Sequence, residues 1–346
     1  MSVSLKIFIE IPTWLGDAVM TTPAIENIVK KYSDAKLIIY GSYVSTRLFV
    51  HHPNVEKILL DESKQGGFRY LNLYRDAKSV GKVDMAFSFR KNFTTQYLLF
   101  FIGVKERFIY KRFTKKEIHQ VERYNNFVHR SIGSDAKAGK LKIYGYSNGT
   151  SSQAELGNQN FELPSSQTEF GNQSVALGKN ASKKLLGLNP GATYGSAKRW
   201  YPEEFAKVAT ALSSEYDIII FGGPNEGEIA QDIENILIKN GVSNYKNLAT
   251  KTSVPDLFEG IASLDLFVTN DSGPMHLAAA YQVPTISIFG PTRYKETSQW
   301  MNEKSILIRK DLECSPCMKR TCPLEHHECM KLITAQDVLD KIKEIT

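Results

Sequence analysis

The segment "TNDSGPMH", residues 269–276, packs an acid, a hydroxyl, a glycine, a proline and an imidazole between an apolar run of strand type and an alanine-rich run of helix type. A helix that starts there leaves backbone N–H groups unpaired at the positive end of its dipole, which makes a ready seat for phosphate. Ser272 and Gly273 let a ligand come close to the backbone, and His276 adds a donor nearby. Pro274 suits a first helical position because it has no N–H to satisfy. Asp271 argues against an anion unless it faces a different part of the ligand, such as sugar hydroxyls. The plainer reading is a helix merely capped by Asp271 or Ser272.

Three more strand-to-helix junctions in the second half have the same character. "NPGATYGSAKRWYPEEF" sets Thr193, Ser196, Lys198 and Arg199 ahead of a helix that starts near Pro202. "FGGPNEGEIAQDI" puts Glu226 past a glycine turn, and "FGPTRYKE" puts Thr292 and Arg293 past another. Loops that follow the carboxyl ends of parallel strands converge on one crevice, so the four together imply a nucleoside diphosphate, although turn chemistry accounts for each one separately. The first half offers one counterpart, "IEIPTWLGDAVM". There Asp17 is either a helix N-cap or a carboxylate facing a crevice, and Trp14 either stacks on a sugar or packs.

The elements that must position these residues alternate between short apolar strands and helical stretches in both halves, the pattern of parallel sheets covered by helices. The strands read "LKIFIEI", "KLIIY", "EKILL" and "DMAFSF", then "KLLGLNPG", "YDIIIFGG", "LDLFVTN" and "PTISIFGP". A polar segment, residues 146–174, is too poor in apolar side chains to offset its ordering entropy and reads as a linker or insertion. The C-terminal "TAQDVLDKIKEI" carries a Thr cap and an apolar side of Val338, Leu339, Ile342 and Ile345, and so predicts a docked helix. A chain of 346 residues with 42% apolar content supports two domains. The expected division is residues 1–145, a linker at 146–180, a second domain at 181–330, and the terminal helix at 331–346.

The longest apolar run, "YLLFFIGV", is far shorter than the ~20 residues of a membrane span, and the N-terminus lacks the features of a signal peptide. A soluble cytoplasmic protein is expected. The net charge of +6 is modest and is densest over residues 105–130, which reads as a solvated helix face or a contact for an acidic surface or phosphorylated substrate. No nucleic-acid module accompanies it. "GYSNG" fits a nucleophile elbow without the helix that must follow, and "GNQSVALGKN" fails the phosphate-loop spacing. Cys314, Cys317, Cys322 and Cys329 lie within sixteen residues, with His326 and His327 beside them. They are open to three readings: a metal site, a redox-linked pair, or reduced thiols in a compact loop.

Assembled, "PTWLGDAVM", "NPGATYGSAKRW", "TNDSGPMHLAAA" and "FGPT" resemble the ADP-heptose:lipopolysaccharide heptosyltransferases. The resemblance runs through nearly the whole chain outside the polar segment, and "P-x-W-x-G-D", "GSAKRW" and "CSPCMKRTCP" look more like the type II enzymes. It implies an α/β fold of the GT-B type, two Rossmann-like domains facing a central crevice, with acceptor binding in the first and nucleotide-sugar binding in the second. It further implies inverting transfer from ADP-heptose to a heptosyl-Kdo-lipid A acceptor, with no metal and no cofactor, at the cytoplasmic face of the inner membrane. By position, Asp17 matches the general base, and Lys198, Ser272, Gly273 and His276 the groups around the diphosphate, where the loss of an N–H at Pro274 leaves Met275 as the next backbone donor. Asp271 matches a residue holding heptose hydroxyls, Glu226 one at the ribose, and Thr193 one near the phosphates. Pro274 departs from the pattern by removing an N–H. The alternatives are a GT-B transferase or epimerase for another nucleotide sugar, or a binder without activity.

Overall fold

The computed structural model describes residues 4–146 and 183–346, so the expected linker lies outside the described residues apart from Tyr146. The chain forms two compact units, Met1–Gly145 and Tyr146–Thr346. In the first, the order is β1 (Lys6–Glu10), α1 (Leu15–Lys31), β2 (Lys36–Gly41), α2 (Tyr43–Thr46), β3 (Val55–Leu60), α3 (Arg69–Val80), β4 (Met85–Ser88), α4 (Phe93–Ile102), β5 (Glu106–Ile109) and α5 (Gln120–Ile132). The strands make a parallel sheet in the order β3-β2-β1-β4-β5.

Ile7, Phe8 and Ile9 are fully buried although they point alternately to opposite faces, so helices cover both sides of the sheet. Phe8, Ile38, Tyr40 and Ala86 pack with Leu73, Ala77, Leu98 and Leu99 of α3 and α4 on one side. On the other, α1 packs on α5, and Asn27 donates to Asn125 across them at 2.7 Å.

The second unit runs β6 (Lys184–Asn189), α6 (Pro202–Leu212), β7 (Tyr216–Ile220), α7 (Gly227–Lys239), β8 (Tyr245–Asn247), α8 (Val254–Ala262), β9 (Leu266–Asn270), α9 (Gly273–Ala280), β10 (Thr285–Ile288), α10 (Tyr294–Thr297), β11 (Ser305–Ile308), α11 (Glu328–Lys331) and α12 (Ala335–Ile342). Its parallel sheet has the order β11-β10-β9-β6-β7-β8. The winding reverses between β6 and β9, where open α/β sheets bind ligands beyond the strands' carboxyl ends. Thr334 caps α12 reciprocally with Asp337, and Val338 and Ile342 are buried in the same core as β10 and α6.

The edge strands are β3 and β5 in one sheet and β8 and β11 in the other, and β5 and β8 are short and lack the apolar runs that mark the central ones. Consequently the basic stretch, residues 105–130, is not one solvated helix face. It comprises β5, a loop, and most of α5. Within it Arg123 is 4% exposed and donates to the Thr114 and Lys116 carbonyls, while the Arg130 guanidinium lies 4.4 Å from the centre of the Phe113 ring.

Candidate active site

In the second unit the four junctions meet at the carboxyl end of the sheet. Asn189, the last residue of β6, donates across the switch point to the Ser272 hydroxyl (3.1 Å) and to the Thr269 hydroxyl (3.3 Å). Asn270, the last residue of β9, is fully buried; it donates to the Pro190 carbonyl at 2.7 Å and accepts from the Trp200 N–H at 3.1 Å. One side chain therefore fixes both ends of the loop that carries Lys198. Trp200 anchors that loop from the other side, its buried ring donating to the Ile333 carbonyl at 2.9 Å.

Lys198 closes a short 3-10 turn, Ser196–Lys198, and its ammonium reaches the Asp271 carboxylate at 2.6 Å and the Asp271 carbonyl at 3.3 Å. The same carboxylate oxygen accepts from the Thr292 hydroxyl at 2.6 Å. Asp271 is 4% exposed and the Lys198 side chain 13% exposed, so the pair is held in a desolvated place where its charges act strongly. The Tyr194 ring lies 4.8 Å from the ammonium, and its hydroxyl donates to the Met318 carbonyl at 2.7 Å. Thus Asp271 caps no helix. It orients the lysine, together with Thr292 from the loop after β10.

Ser272 is the residue before α9, but its side chain makes no capping bond to that helix, and Gly273 is the first helical residue. Pro274 is second rather than first, still among the four positions whose N–H has no partner within the helix. Met275 is fully buried, so it can offer a ligand its backbone alone, and His276 is 4% exposed. Glu226 accepts from the Gly223 N–H at 2.7 Å and lies directly over Gly191, where a Cβ would stand 2.0 Å from the carboxylate. Gly191 is therefore required by close approach. Thr193 is exposed in the turn after β6, and the exposed Arg293 reaches Glu296 at 3.9 Å.

In the first unit Asp17 is the third residue of α1, and Trp14 precedes the helix without a side-chain capping bond. The N-cap reading of Asp17 is thereby corrected. Burial, and then the nearby Asp17 carboxylate, hold the Tyr124 phenol well above its ordinary pKa. Trp14 is 57% exposed, which sets aside core packing as its purpose. A cluster that the motifs did not reveal sits under this loop: Arg90 donates to the Ile11 carbonyl at 2.8 Å and to Asp61 at 2.8 Å, and lies 3.4 Å from Glu10. Burial pushes the Glu10 carboxyl up despite Arg90 and the Ser88 hydroxyl, which donates to it at 2.5 Å. Burial would do the same to Asp61, but the Arg90 and Ser63 hydrogen bonds bring it below the usual carboxylate range.

The cysteine segment braces the Lys198 loop. Arg320 O accepts from the Ala197 N–H at 3.0 Å and would be 2.3 Å from a Cβ on Gly195. The four cysteines are free thiols and, with His326 and His327, line a small cavity of about 20 Å³. Both His327 nitrogens are engaged, by the Tyr201 hydroxyl (3.2 Å) and the Ala197 carbonyl (3.0 Å). Burial, followed by the other three thiols, pushes Cys329 up to about 11. Among the described residues no group of three or more His, Cys, Asp or Glu side chains is arranged to hold a metal ion.

Residues 94–328 match the profile of glycosyltransferase family 9 (heptosyltransferase). The chain is 42% identical over 342 residues to the lipooligosaccharide heptosyltransferase 2 of Campylobacter jejuni, covering 99% of this chain and 98% of that protein. It is 24% identical over 353 residues to the lipopolysaccharide heptosyltransferase 2 of Escherichia coli K12, with coverage of 99% and 98%. The solved structure of the Escherichia coli ADP-heptose LPS heptosyltransferase II superposes with a TM-score of 0.76 at 21% identity, over 99% of this chain and 98% of that one, which shows a shared fold. A profile match across two thirds of the chain and a relative aligned almost end to end agree with the α/β architecture of two parallel-sheet units: the chain belongs to glycosyltransferase family 9, the heptosyltransferases.

Proposed function

We propose that this protein transfers L-glycero-D-manno-heptose from ADP-heptose to the heptose of a heptosyl-Kdo-lipid A acceptor, adding the second heptose of the inner core with inversion. The observation that carries this reading is the 42% identity, almost end to end, to a lipooligosaccharide heptosyltransferase 2. Its acceptor is lipid-linked, so the enzyme works in the cytoplasm in peripheral contact with the inner membrane. No described helix is long and apolar enough to cross a membrane.

The acceptor hydroxyl oxygen bonds to the anomeric carbon as the carbon–oxygen bond to ADP breaks. Asp17, in the first turn of α1, takes the hydroxyl proton, because a free sugar hydroxyl is a poor nucleophile. The electron pair leaves on the diphosphate, which gains charge that must be stabilised. Lys198, prepositioned by Asp271 and Tyr194, supplies a fixed cation for it, and the N–H groups of Ser272, Gly273 and Met275 with His276 supply dipoles. Thr193 stands at the phosphates, Glu226 at the ribose, and Asp271 at the heptose hydroxyls through whatever capacity Lys198 and Thr292 leave it. This arrangement assigns charge stabilisation to side chains and backbone rather than to a metal.

The test is a transfer assay with ADP-heptose, EDTA, and core acceptors carrying zero or one heptose. Heptose added only to the one-heptose acceptor is the expected result. Donor binding without transfer to either would overturn the acceptor assignment, and a requirement for added divalent metal would overturn the role given to Lys198.

A further inference from the structure

Exposed aromatic side chains concentrate in one place. Phe68, Phe93 and Phe100 are 70%, 67% and 65% exposed, and Leu71 and Tyr74 lie beside them at 45% and 37%. All belong to α3, α4 or the residue preceding α3, and the two helices pack on each other. Ring contacts join them into a single ridge. Tyr70 bridges Phe68 (5.7 Å) and Phe93 (6.2 Å) and touches Tyr97 (5.2 Å); Tyr97 meets Phe101 at 4.7 Å, and Phe101 meets both Tyr74 (5.0 Å) and Phe100 (5.1 Å). Scattered exposed apolar residues need no explanation, but a contiguous ridge marks an interaction surface.

Its charge identifies the partner. Lys64, Arg75, Lys78 and Lys91 are exposed along the same two helices and their flanks. The single acid on either helix, Asp76, turns to the Tyr40 hydroxyl at 2.8 Å. Large aromatic rings rimmed by cations, with no acid on α4 and the one acid of α3 held by Tyr40, fit the boundary between headgroups and acyl chains of an anionic bilayer. Lys78 shows the geometry in small: its ammonium lies 5.4 Å from the Tyr74 ring.

We propose that the α3–α4 ridge is the surface by which this protein docks on anionic lipid. The proposal deepens the peripheral membrane contact inferred above and places it apart from the basic stretch, residues 105–130. Docking inserts Phe68, Phe93 and Phe100 and sets the four cations among lipid phosphates. Because the rings point outward, their loss leaves the core untouched.

The experiment is co-sedimentation of the full chain with vesicles of phosphatidylcholine, with and without phosphatidylglycerol, for wild type, F93S/F100S and R75E/K78E. Wild type partitions onto the anionic vesicles; F93S/F100S weakens this by about tenfold per ring removed, and R75E/K78E by about fivefold or more per charge. Both variants retain transfer to a soluble core oligosaccharide. Wild type failing to bind anionic vesicles, or F93S/F100S binding as wild type does, overturns the proposal. So does a wild-type dimer in equilibrium sedimentation that F93S/F100S splits, since a second copy would then cover the ridge. Vesicle binding does not read heptose transfer, so failure of the proposed reaction would leave this result standing.

Discussion

Two carboxylates and one ammonium divide the proposed chemistry, and each is separable by experiment. D17N lowers kcat by about 10²- to 10⁴-fold while the affinity for ADP, measured by calorimetry, stays unchanged, because the base acts only as the bond forms. A parallel collapse of ADP affinity would make Asp17 a binding residue. K198M lowers kcat by about 10²- to 10³-fold. It also lowers Tm, because breaking a buried pair strands the Asp271 carboxylate, at a cost of roughly 3 kcal/mol. The double variant K198M/D271N recovers Tm but not turnover, and recovery of both would remove Lys198 from catalysis. Asp17, Lys198 and Asp271 stand out in the sequence as candidates because each sits in a compact motif beside its strand. Asn270 and Arg90 were not, because their partners Trp200 and Glu10 are 70 and 80 residues away along the chain.

Among the elements, the central strands and the edge strand β3 were legible, whereas the short edge strands β5, β8 and β11 were not. A strand buried on both faces must be a continuous apolar run, as "KIFIE" and "YDIII" are, whereas β5, "ERFI", carries its charges toward solvent and reads as part of a basic stretch. Helix ends were partly legible: Thr334 was recognisable as a cap, but Trp14 before α1 has no capping side chain to announce it. The loop between β6 and α6 depends on Trp200 as a peg. W200F, which loses the bond to Ile333 and part of the indole volume, costs about 2 kcal/mol in urea unfolding. W200A costs about 3–5 kcal/mol and lowers turnover as well, since the loop it releases carries Lys198.

At the scale of the molecule, stability responds to pH through two buried carboxyl groups whose pKa values are shifted in opposite directions. Asp61 is held below its ordinary pKa by Arg90 and Ser63 against burial, so its contribution is fully present above the unfolded Asp range near ~4 and is lost as pH falls through the lower folded value. Glu10 is raised by burial, so its contribution is present below the unfolded Glu range and is lost as pH rises through the folded value. D61N therefore flattens the acid limb of a Tm-against-pH curve. E10Q raises Tm at neutral pH by an amount that vanishes in acid; a Tm gain equal at every pH would mean that the Glu10 charge is not what is costly.

The cysteine segment gives the enzyme a shelf life. Its carbonyls at Met318 and Arg320 hold Tyr194 and Ala197, the neighbours of Lys198, while its thiols surround a cavity too small for an added alkyl group. The expected outcome is that iodoacetamide, or storage in air without reductant, inactivates the enzyme although no cysteine is assigned a place at the substrate. The same expectation has far-UV circular dichroism unchanged during that loss, ADP slowing it, and a dithiol reversing the part caused by air; activity that survives full alkylation of the thiols would overturn it.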